Sequence, residues 1–97
     1  MGVANSPDLS FDNLHTTASE HCGWMGGLIL DHVLSIQPSG GELEATFGLI
    51  RRLSVEAADC IIFPVAPDDT RRLALCESIA DGAAKEARGR AAKAGRE

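Results

Sequence analysis

The chain has 97 residues, 44% of them hydrophobic, and a formal net charge of −5. That length supports one hydrophobic core and leaves too little chain for a second. An acidic body argues against a nucleic-acid surface, which needs clustered cations, and no apolar run reaches the roughly 18 residues that span a bilayer.

Aromatic residues are few: Phe11, Trp24, Phe47 and Phe63, with no Tyr. The core must come from Leu, Ile, Val and Ala, a composition that suits helices better than half-buried sheets. Richness in Ala, Gly and Arg fits a GC-rich bacterial genome or its mobile elements. Met1 to Asp8 has neither the basic nor the apolar region of a signal peptide, so a cytoplasmic location is the expectation.

In chain order, residues 1–6 are small and polar and are expected to be disordered. Ser6-Pro7-Asp8 suits a helix start, because Pro is tolerated at the first helical position. Thr17-Ala18-Ser19-Glu20 also fits a capping box, which leaves open whether one helix or two precede Gln37.

The stretch Thr17 to Gln37 shows two helical faces at 100° per residue. Ala18, His21, Cys22, Met25, Ile29, His32, Val33 and Ile36 form a broad stripe. Gly23, Gly27, Leu30 and Leu34 form a second line roughly opposite. An ordinary amphipathic helix needs one partner, and this one needs covering from two sides. Three short helices offer few surfaces for that. The line Gly23, Gly27, Leu30 and Leu34 is therefore assigned to contact with a protein partner, with a homodimer as the leading case.

Gln37-Pro38-Ser39-Gly40-Gly41 marks a boundary, and Ser39 with Glu42 forms a capping box for a second helix. Leu43, Phe47, Ile50, Leu53, Ala57 and Ile61 supply its stripe. Arg52 and Glu56 stand four apart and can pair. Pro64 ends that helix. The run 60–65 has an alternative reading as a short strand pairing with 28–36, which would make the chain α/β. The sustained stripe from Leu43 to Ile61 favours the helix.

Asp68 is the N-cap expected for a third helix. Its stripe is Leu73, Cys76, Ile79, Ala80 and Ala83, followed only by Ala87, Ala91 and Ala94. Residues 85–97 hold five cations against two acids, a local +3, which leaves −8 over residues 1–84. With only alanines to bury, residues 86–97 are expected to be a fraying basic tail. The fold expected is an all-α, single three-helix domain with short antiparallel connections.

No catalytic, cofactor or metal site emerges. His21 and His32 lie about 16 Å apart along one helix, too far to share an ion. Cys22, Cys60 and Cys76 would sit one per helix, which with His21 is the sharpest metal arrangement, yet three buried structural thiols explain the same pattern. His15 and Cys22 are too far apart for a nucleophile pair. The helix starting Asp68-Asp69-Thr70-Arg71-Arg72 is too mixed in charge for a recognition helix. The function expected is a small acidic protein-binding module: a regulator, inhibitor or adaptor. A thiol or metal enzyme and a nucleic-acid-associated regulator are the alternatives.

Overall fold

The computed structural model describes residues 11–66 and 68–95. The proposed start at Ser6-Pro7-Asp8 and the disorder of 1–6 lie outside them. The fold is all-α. Helix α1 spans Phe11–Leu34, α2 spans Gly40–Ile62 and α3 spans Asp69–Lys93, with a 3-10 turn at Phe63–Val65. No strand occurs among the described residues, so residues 28–36 and 60–65 are not sheet partners. Helix α1 is continuous through Thr17, and the capping box considered there does not form a boundary.

The local stop and start signals act where the chain chemistry puts them. Gln37 adopts a left-handed conformation, φ 54°, just past the end of α1. Its N–H donates to the Leu34 carbonyl at 3.1 Å, which satisfies one of the helix's terminal acceptors. Ser39 and Glu42 then close a reciprocal capping box. The Ser39 hydroxyl accepts from the Glu42 N–H at 3.1 Å, and Glu42 Oε1 accepts from the Ser39 N–H at 2.7 Å. At the start of α3, Asp68 Oδ1 accepts from the Arg71 N–H at 3.1 Å. Pro64 sits in the 3-10 turn that ends α2, as its missing N–H requires.

Three pairwise registers fix the bundle. Helices α2 and α3 run antiparallel, tied by Glu44–Arg88 at one end, Arg51–Asp81 in the middle and Asp59–Arg72 at the other. Helices α1 and α2 are also antiparallel. The Cys22 thiol donates to the Ser54 carbonyl at 3.4 Å, and Gly26 lies against Ile50. Helices α1 and α3 are therefore parallel, with Gly23 beside Glu86 and Gly27 beside Arg90. The pair anticipated between Arg52 and Glu56 is not formed among the described residues. The cation of α2 that pairs is Arg51, which faces α3.

Where α1 meets its neighbours, the residues are small. Its buried residues are Ala18, Cys22, Gly26, Gly27 and Leu30. A Cβ on Gly26 would stand 3.0 Å from Cγ2 of Ile50, so the glycine is what allows α1 and α2 to approach this closely. The buried line of α2 runs Leu43, Phe47, Ile50, Ser54, Ala58 and Ile62. Leu53, Ala57 and Ile61, expected on that line, are half-buried beside it. The last three steps are of four residues, so the line rotates by about 40° per step as α2 faces both neighbours.

Helix α3 shows the largest departure from expectation. It stays helical to Lys93, and Ala87 and Ala91 are only 2% and 1% exposed. The anticipated frayed segment is docked over residues 86–93. Small side chains bury little area each, but they let α3 lie close along both α1 and α2, and Arg88 and Arg90 pin it with ion pairs. Leu73, expected in the core, is exposed, and the buried line of α3 starts at Cys76.

Candidate interaction surface

The four residues assigned to a partner face are taken up within the chain. Leu30 is 0% exposed in the core shared by the three helices. Gly27 is buried and Gly23 half-buried. Built Cβ atoms there would meet Arg90 Nη1 at 3.2 Å and Glu86 Oε1 at 2.8 Å, both on α3. Leu34 is half-buried against the same core. The two-sided covering that α1 requires is thus met by α2 on one side and α3 on the other. The physical reason is the docked end of α3, which supplies the surface that a frayed tail would have withheld.

The broad stripe expected to face inward is correspondingly split. Ala18 and Cys22 are buried, Met25, Ile29 and Val33 are half-buried, and His21, His32 and Ile36 are exposed. On the far side of α1 stand the chain's single tryptophan and a leucine one turn later. Trp24 is 63% exposed and Leu28 52% exposed. His21 lies against Trp24 with ring centroids 6.0 Å apart. Asp31, on the same face, reaches Arg90 of α3 at 3.5 Å and remains largely exposed. Trp24 and Leu28 thus form an adjacent apolar pair directed to solvent.

The sequence carried a signal for Trp24 and Leu28, since the line midway between them lies opposite Gly26 on the helical wheel. It was outweighed because glycine and alanine register weakly as core while His21, Met25 and His32 look like a stripe.

The thiols divide two to one. Cys22 and Cys76 are buried, and Cys60 is exposed, which corrects the expectation of three core-facing cysteines. Burial pushes the Cys22 thiol above its ordinary range, outweighing the opposing effect of Ser54. Burial raises Cys76 as well, reinforced by the nearby Asp59 carboxylate. Raised thiols hold little thiolate at neutral pH and are poor nucleophiles. Among the described residues, no three His, Cys, Asp or Glu side chains are grouped to hold a metal ion.

A mainly apolar groove of about 700 Å³ opens where the start of α1 meets the α2–α3 connection, lined by Phe11, Val65, Ala74 and Leu75 with Asp68 and Arg71. Asp68 is occupied there as the cap of α3. No described helix is long and apolar enough to cross a membrane. No protein-family model, curated protein or solved structure matches the chain.

Proposed function

We propose that the chain is a small acidic protein-interaction module, acting as a regulator, inhibitor or adaptor through the outward face of α1. The observation that carries this reading is the exposure of Trp24 and Leu28 side by side on a helix whose inward sides are covered by α2 and α3. Tryptophan is the residue most enriched at the energetic centres of interfaces, because it brings a large rigid area at low entropic cost. The same pair presents no charge to attract phosphates, and the paired arginines of α2 and α3 are engaged with carboxylates.

Affinity capture from the cells that make the protein tests the reading. The tagged wild-type chain is compared with Trp24→Ala and Leu28→Glu. Both variants are expected to keep their helical circular dichroism and to lose the captured protein. Partners retained equally by all three would remove α1's outer face from the function.

A further inference from the structure

The outward face of α1, together with Ser35 in the turn just past its end, has a regular seam. Thr17, His21, Trp24, Leu28, Asp31 and Ser35 are all exposed and follow one another by alternating steps of four and three residues. That alternation is the spacing of a two-stranded helical pairing, because it keeps one line of side chains facing a partner helix. The chemistry along the seam is symmetric about the point midway between Trp24 and Leu28.

We propose that a second copy of this chain covers the seam, with the two α1 helices antiparallel about a two-fold axis at the level of Gly26. Trp24 then packs on Leu28 of the second copy, and Leu28 on its Trp24. In the next layer outward, His21 meets Asp31 of the second copy, and beyond that Thr17 meets Ser35. Every layer joins compatible groups: aromatic with aliphatic, imidazole with carboxylate, hydroxyl with hydroxyl. Each contact occurs twice, as a two-fold interface requires.

The charge pattern selects this orientation. A parallel pairing would set Asp31 against Asp31 and His21 against His21. Only the antiparallel register sets the carboxylate against the imidazole. Arg90, 3.5 Å from Asp31, holds that carboxylate from the α3 side. Glu20 and His32 flank the seam on its two edges, both exposed.

This inference rests on the interaction-module reading and names the partner. The seam from Thr17 to Ser35 is about 27 Å long at 1.5 Å per residue. One helix pair is small beside the roughly 1,600 Å² of a standard interface, so the dimer should dissociate in the micromolar range.

Sedimentation velocity over a concentration series up to roughly 300 µM tests it. The expected result is a reversible monomer–dimer equilibrium, with Trp24 emission shifting to shorter wavelength as dimer forms. Leu28→Glu and His21→Glu should each raise the dissociation constant at least about tenfold, with helical content unchanged. His21→Lys should leave the dimer as tight or tighter. Register is read separately, in a Cys60→Ser background. Thr17→Cys and Ser35→Cys chains, mixed and oxidised with diamide, should cross-link only to each other. A wild-type monomer throughout the series, a dimer indifferent to Leu28→Glu, or Thr17→Cys cross-linking to itself overturns the proposal. A monomer that still captures a different protein through Trp24 would sink self-pairing and leave the interaction-module reading standing. A dimer indifferent to both seam variants, with no partner lost by them, would sink both.

Discussion

Arg88 grips Glu44 with two hydrogen bonds, Nη1 to Oε2 at 2.8 Å and Nη2 to Oε1 at 3.1 Å. The same guanidinium lies 4.5 Å from the centroid of the Phe47 ring. One side chain near the end of α3 thus holds both a charge and an aromatic face near the start of α2. Bidentate geometry and ring stacking are specific to arginine, and a lysine cannot reproduce them.

The first prediction concerns pH. The hydrogen bonds from Arg88 are the main cause that holds the Glu44 carboxyl below the ordinary glutamate range. A carboxylate depressed in the folded state adds stability above its unfolded pKa and loses it as pH falls through the folded value. Urea melts should therefore show stability declining with acid, and Glu44→Gln should flatten that decline below the ordinary glutamate range. An identical pH profile for wild type and variant would show that the pair contributes nothing.

The second prediction concerns the end of α3. Ending the chain after Lys85 removes Ala87, Ala91, Arg88 and Arg90, and uncovers Gly23, Gly27 and Phe47. Thermal and urea unfolding should show a loss of at least about 2 kcal/mol. A truncated chain as stable as the full one would return residues 86–93 to the status of a solvated tail.

How much of this was legible in the sequence depended on range. Ser39 with Glu42, and Asp68 with Arg71, were readable because a cap involves residues three apart. The buried line Cys76, Ile79, Ala80 and Ala83 was readable because those side chains repeat at helical spacing. The inward face of α1 was legible only in part: Ala18 and Cys22 stand on the expected stripe, and Gly26 does not. Whether Gly26 faces Ile50 or water depends on how closely α2 approaches, and that is decided by residues far along the chain. Cys60 illustrates a milder failure: it lies at the edge of the expected stripe, near Leu53 and Ala57, and the rotation of the buried line toward Ala58 and Ile62 leaves it on the exposed side.

The glycines give a third prediction, with opposite signs at different sites. Gly26→Ala should destabilise by about 1 kcal/mol or more, because the added methyl meets fully buried Ile50, which has little room to yield. Gly82 and Gly89 have open space around them. Alanine at either should stabilise by up to about 1 kcal/mol through helix propensity alone. Equal effects at all three sites would show that Gly26 is not a packing contact.

A fourth prediction concerns the thiols. Of the three, Cys60 should react quickly with a thiol reagent in the native protein, and Cys22 and Cys76 only as the fold opens. Three slow thiols would contradict the placement of Cys60 outside the core, and three fast ones the burial of Cys22 and Cys76.

The exposure of Trp24 also bears on how the chain evolves. Selection for folding acts strongly on Ala18, Cys22 and Gly26, where even one extra methyl group is resisted. It acts hardly at all on positions 24 and 28, which in an isolated chain would accept lysine or glutamate at no loss and a gain in solubility. Among natural variants that keep the fold, persistence of large apolar residues at these two positions would record a partner's demand. Drift to charge would record that the demand had lapsed.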